Sequence, residues 1–70
     1  MATLQLRIVG LRSGDEPRIE RALRDLPGVY GVVVSPTEGC AELDIEDDEV
    51  SLDRILELLR EHGLDGRLSG

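Results

Sequence analysis

Hydrophobic residues in this 70-residue chain recur with two periods that take turns along the sequence, and the order of those turns leaves few architectures open. Leu4, Leu6 and Ile8 are separated by Gln5 and Arg7, the repeat of two expected of a strand with one buried face, here over residues 4–9. From Pro17 the repeat becomes helical, with Ile19, Ala22, Leu23 and Leu26 on one stripe and Pro17 suited to the first turn, where its missing N–H costs nothing. This helix is predicted over 17–26, capped by Asp15 or Glu16 and ended by Pro27-Gly28. Residues 29–35 are rich in valine, and the turn signal Pro36-Thr37-Glu38-Gly39 leads to a second alternating run over 40–46, with Ala41, Leu43 and Ile45 on one side. Those two runs predict a hairpin. Ser51 is a good N-cap for a second helix striped by Leu52, Ile55, Leu56 and Leu59 and ended by Gly63. Residues 64–68 then make a short last strand with Leu64, Gly66 and Leu68 on one face.

The predicted order is βαββαβ. Two interleaved strand-helix-strand units of this kind give an α+β ferredoxin-like sandwich, a four-stranded antiparallel sheet with both helices on one face. A chain this short buries only about 60% of the surface its unfolded form exposes, so residues 1–70 are read as one domain with one core. That core must be Leu, Ile and Val, because Tyr30 is the only aromatic residue and Met1 the only methionine.

Cys40, the single cysteine, cannot close an internal disulfide, and a reducing cytoplasm is the expected compartment. The first apolar stretch is broken by Gln5 and Arg7, unlike a signal peptide, and nothing approaches the roughly 20 apolar residues of a membrane span. The net charge of −7 comes from 15 acids against 8 bases, all of them arginine, and a surface of that sign repels phosphate backbones. Neither nucleic acid nor a membrane is expected as a partner.

Several residues fall at separations shared with a known family: Leu6, Ile8 and Gly10, then Ile19 and Ala22-Leu23, then Leu26-Pro27-Gly28-Val29 with Val32 and Val34. Ala41, residues 44–50, Ile55 and Gly63 continue the match. On these the chain resembles, over nearly its whole length, the heavy-metal-associated domain family, the small copper carriers and amino-terminal modules of copper-transporting P-type ATPases. The resemblance implies the ferredoxin-like fold and a Met-x-Cys-x-x-Cys metal motif directly after the strand-ending glycine. That register holds Leu11, Ser13 and Glu16 here. Soft Cu(I) is held by two thiolates, and a hydroxyl and a hard carboxylate do not replace them. Leu64 likewise stands where the family often carries an aromatic or basic residue.

The topology brings three connections to one end of the molecule: the 10–16 link, the 35–39 turn and His62-Gly63. Asp15, Glu16, His62 and Cys40 are therefore candidate ligands for a divalent ion such as zinc in a non-standard site. Ordinary roles compete with this. Asp15 and Glu16 suit a helix start, and a cationic His62 suits a helix end, while Cys40 has the opposite parity to Ala41 and points to the open sheet face. No cofactor is expected, a divalent or heavy-metal ion being the one candidate. The run Glu46-Asp47-Asp48-Glu49 lacks the alternating ligands and central glycine of a calcium loop and reads as a solvated stretch before a helix.

Two surfaces are candidates for a partner. Val9, Val33 and Cys40 face outward on adjacent strands, and Arg12, Arg18 and Arg21 cluster near the start of the first helix. By resemblance the basic cluster would dock an acidic partner domain; the competing reading is ordinary helix pairing of Glu20 with Arg24 and Arg21 with Asp25. No nucleophile set or phosphate-cradling glycine loop occurs. The arginine-asparagine pair of acylphosphatases, which share this architecture, is impossible without asparagine, and the open face lacks the aromatics of RNA-binding sheets. The chain is thus read as a non-catalytic binding module with a degenerate metal loop, recognising a protein linked to metal homeostasis, such as a metal-transporting ATPase domain or a second copy. The alternative is a copper or zinc carrier with a non-standard site.

Overall fold

A computed structural model describes residues 2–69. Its elements are β1 (Ala2–Val9), α1 (Glu16–Arg24), β2 (Val29–Ser35), β3 (Cys40–Ile45), α2 (Leu52–Glu61) and β4 (Asp65–Leu68). The strands form one antiparallel sheet in the order β2-β3-β1-β4, and the helices lie side by side on one face, so the architecture is the expected α+β ferredoxin-like sandwich.

The alternating runs explain which face is covered. Leu6 and Ile8 of β1, Val32 and Val34 of β2, and Ala41, Leu43 and Ile45 of β3 are buried against Ile19 and Leu23 of α1 and Ile55 and Leu59 of α2. No polar or charged side chain is buried among the described residues. Each fully buried Leu or Ile contributes roughly 1.5–3 kcal/mol of transfer free energy, and the core is made of little else. Outward-facing polar residues of β1 and β3 pair across the strands: Thr3 Oγ1 donates to Asp44 Oδ1 at 3.0 Å and Gln5 Nε2 to Glu42 Oε2 at 3.3 Å.

Boundaries differ from expectation where turn chemistry intervenes. α1 stops at Arg24 rather than Leu26, because the Leu26 N–H turns to the carbonyl of Leu23 at 3.1 Å and tightens the last turn. Leu26 still reaches the core. Ser51 caps α2 as expected, in an extended conformation, its Oγ accepting the Arg54 N–H at 3.2 Å. Leu68 shares a face with Leu64 and Gly66 but remains 59% exposed, because β4 is an edge strand. Gly66 itself lies under α2, where a Cβ would stand 2.6 Å from Leu59 Cδ1.

Gly28 joins α1 to β2 with φ 91°, and a Cβ there would meet Glu49 Cβ at 2.7 Å and the Val50 nitrogen at 3.1 Å. Its carbonyl accepts the Glu46 N–H at 2.8 Å, and β3 ends at Ile45, one residue earlier than expected. Two constraints, handedness and close backbone approach, therefore coincide at Gly28. Gly14, with φ 98° and open space where a Cβ would sit, carries only the first. Gly28→Ala should cost about 1–3 kcal/mol and Gly14→Ala only about 1 kcal/mol, a difference that thermal melts followed by circular dichroism will resolve. Equal costs would show that the approach to Glu49 and Val50 is not felt.

Candidate functional site

The end of the molecule where the resemblance places a metal loop is built by one carboxylate. Gly10, with φ 94°, ends β1, and Leu11 packs back against the core. Residues 12–15 then close a β-turn in which the Asp15 N–H donates to the Arg12 carbonyl at 3.0 Å. Gly14 at the third position takes φ 98°, the left-handed value a type II turn asks of that residue. Asp15 Oδ2 accepts the Arg12 N–H at 3.0 Å, so the same residue closes the turn twice.

This departs from the expected cap. Asp15 stands at the N-cap position but in helical conformation, φ −77° and ψ −19°, and its side chain makes no cap bond. The carboxylate is instead committed to the turn and to Arg18, whose Nη2 donates to Oδ1 at 3.2 Å. The Arg12 N–H first, and then the Arg18 guanidinium, hold the Asp15 carboxyl below the usual aspartate value.

Arg18 continues the chain of contacts into α2. Its Nη1 lies 2.8 Å from Nδ1 of His62, the C-cap residue of α2. A guanidinium only donates, so Nδ1 must accept, and the imidazole in this contact is the neutral form with its proton on Nε2. The expected cationic partner of the helix dipole is thus replaced by a neutral acceptor. Asp15, Arg18 and His62 together tie the turn, the first turn of α1 and the last turn of α2.

The expected ligands are not drawn into one group. Ser13 is exposed on the turn, and Glu16 is exposed at the start of α1. The 35–39 turn does lie at this end, the Gly39 carbonyl accepting the Ile8 N–H at 2.7 Å. Cys40, however, sits between Arg7 and Ser35 on the open face, in a shallow hollow of about 270 Å³ shared with Gln5, Val33, Glu38 and Glu42. Among the described residues no three His, Cys, Asp or Glu side chains stand close enough to share a metal ion. The group between Asp15 and His62 is itself a cation. Nor do Ser13 and Glu16, at the two thiolate positions, fit Cu(I).

The basic cluster is better formed. Arg18 and Arg21 line a groove of about 570 Å³ with Pro17, Ala22, Asp25 and His62, and Arg12 faces the adjoining hollow with Asp15 and Arg18. Of the two helix pairs expected, Glu20–Arg24 forms at 2.8 Å, whereas Arg21 makes no ion pair among the described residues. Asp25 keeps helical dihedrals at the C-cap, and its N–H donates to the Arg21 carbonyl at 3.1 Å, but its side chain does not pair with Arg21. Charge is polarised along the sequence: residues 1–25 hold five arginines against four acids, and the remainder three against eleven.

On the open face, Val9 and Val33 are 51% and 61% exposed; Val33 shares the hollow of Cys40, whereas Val9 does not line it. Val33 lies opposite Glu42, Cys40 opposite Arg7, and Val9 opposite Asp65, so the three follow a diagonal with polar neighbours on both sides. The Arg18–His62 contact was not anticipated. Helical phase carries its signal, because Arg18 precedes the buried Ile19 by one residue and falls on the flank of α1 turned toward α2.

Comparison with known proteins adds the fold family. No family model matches the chain, and neither does any curated relative. Among solved structures, a putative copper-ion-binding protein from Bacillus anthracis str. Ames is 28% identical, with 94% of each chain covered and a TM-score of 0.88. Oxidized MerP from Ralstonia metallidurans CH34 is 18% identical, with 99% of this chain and 97% of that one covered and a TM-score of 0.92. A copper binding domain from HMA7, a P-type ATPase, is 20% identical over 100% of this chain and 96% of that one, also at 0.92. The chain therefore has the fold of the heavy-metal-associated domains.

The Asp15 contacts make a stability difference that depends on pH. Its folded carboxyl titrates below the ordinary value of 3.8, so its contribution is present above that value and is lost as pH falls through the folded one. Asp15→Asn should separate from the parent in urea midpoint at neutral pH, and the gap should narrow as pH falls below about 4. A gap that stays constant across the series would show that the charge of Asp15 does not hold the turn.

Proposed function

We propose that this chain is a non-catalytic protein-recognition module of metal homeostasis, built on the heavy-metal-associated fold, that docks an acidic protein segment through the arginine face of α1. The carrying observation is the groove in which Arg18 and Arg21 stand three residues apart, Arg21 without an ion pair among the described residues, in a chain of net charge −7. Charge at a rim of this kind steers an anionic partner and sets its register, and the contact weakens as salt is raised. The fold neighbours favour metal homeostasis as the setting: they include the CopZ metallochaperone and the copper binding domain of a P-type ATPase. An ATPase domain or a second copy of this chain are the partners considered.

Further support comes from what the loop residues are doing. The Nδ1 lone pair of His62 is engaged by Arg18, so His62 would have to give up that contact to ligate a metal through Nδ1, and the guanidinium that Asp15 shares with it would repel the ion. No helix among the described residues is long and apolar enough to cross a membrane.

Arg18→Ala and Arg21→Ala should each weaken binding of a hexaglutamate peptide by about two- to fivefold at low ionic strength, read by NMR titration. Unchanged affinity in both variants would remove α1 from the reading. In a second titration, zinc and Cu(I) added under reducing conditions should leave the amide resonances of residues 10–16 and 62–63 in place. Saturable shifts there would favour instead a carrier that uses Asp15, Glu16 and His62.

A further inference from the structure

We propose that His62 is an internal occupant of the docking site: its imidazole holds the arm of Arg18 that an acidic partner takes, and docking proceeds by exchange of imidazole for carboxylate. The inference rests on the docking reading and adds its regulation.

The two arms of the Arg18 guanidinium are held unequally. Nη2 is on Asp15 Oδ1 at 3.2 Å, a charged acceptor that is itself fixed by the Arg12 N–H. Nη1 is on His62 Nδ1 at 2.8 Å, a neutral acceptor with a single lone pair. Both acceptors face an ionised donor, but a carboxylate adds an opposite charge and a second oxygen that the planar guanidinium fork can pair, and an imidazole nitrogen offers neither. An incoming carboxylate therefore gains on the Nη1 side, while Asp15 keeps Nη2 anchored and Arg18 oriented. Asp15 is in this sense a positioning residue.

Access and direction agree with the exchange. The Arg18 side chain is 49% exposed, and it lines one groove with Arg21 and His62, so the arm held by His62 borders the groove. Arg21 supplies a second guanidinium three residues along, to which a second acidic residue of the same segment can pair. Asp25 lies further along the groove and repels a segment that overshoots. The fitting occupant is an extended acidic segment held between His62 and Arg21, with at least two carboxylates. Until it arrives, the imidazole keeps Arg18 satisfied and ties the end of α2 to α1.

The test uses the full chain and a hexaglutamate peptide at low ionic strength and about pH 8, where imidazoles are neutral. His62→Ala frees Nη1 and should tighten binding by about two- to fivefold, the range of an exposed pair. His62→Gln retains an acceptor oxygen and should keep the parental affinity, with thermal melts confirming that both variants fold. In the parent, peptide saturation should move the His62 Nδ1 resonance away from its hydrogen-bonded position. If His62→Ala binds equally or more weakly while Arg18→Ala and Arg21→Ala still weaken binding, the exchange is overturned and the docking reading stands. If no arginine variant changes the affinity, the docking reading fails and the exchange fails with it.

Discussion

Six side chains with almost no solvent access form the contact on which everything else in this molecule depends. Leu6 and Leu43 come from the two central strands, Ile19 and Leu23 from α1, and Ile55 and Leu59 from α2. With one aromatic residue in the chain, and that one 56% exposed, no large ring is available to fill the interior, so two helices must lie close on the sheet for aliphatic side chains to exclude water. Gly66 beneath Leu59 and Leu56 is a consequence of this close approach. Polar side chains among the described residues are displaced to the open face, the outer faces of the helices and the two ends.

The helix packing also determines what meets at the upper end. Because α1 and α2 run in opposite directions over the sheet, the first turn of one meets the last turn of the other, and Arg18 reaches His62 across a sequence separation of 44 residues. Asp15 ties the 10–15 link to this junction by hydrogen bonds, and Leu11 packs it against the core. The opposite end uses a similar economy. Tyr30, the single aromatic, donates its hydroxyl to Glu49 at 3.2 Å, and the Glu49 carboxylate raises its pKa, which fastens the acidic run beside β2.

Much of the fold was legible in the sequence because its two periods do not mimic each other. The Leu4-Leu6-Ile8 alternation fits no helix, the Ile19-Ala22-Leu23-Leu26 stripe fits no strand, and every predicted element is found. The boundaries erred where a local bond competed with periodicity, as when the Leu26 N–H turned to Leu23 and shortened α1. The site was less legible for the same physical reason. Asp15 suits an N-cap by residue type, and only the three-dimensional neighbourhood shows its oxygens taken by the Arg12 N–H and Arg18. His62 reads as a cation at a helix end until the obligate donor beside it makes it an acceptor.

These contacts change the meaning of the missing thiolates. A loop that carries a soft cation needs anionic sulfur ligands and a shape that closes around the ion. Here the loop closes around its own backbone through Asp15, and the positive charge at the junction with α2 belongs to Arg18, a cation covalently attached to the fold. Such a charge does not leave with a cargo; it can only change its partners. The heavy-metal-associated fold here presents a guanidinium outward at its upper end, on the side of the groove that Arg18 lines with Arg21 and His62. The polarity of the chain follows the same logic. Arginines gather in the first 25 residues and acids in the rest, and three of those arginines, Arg12, Arg18 and Arg21, line the hollows at the start of α1.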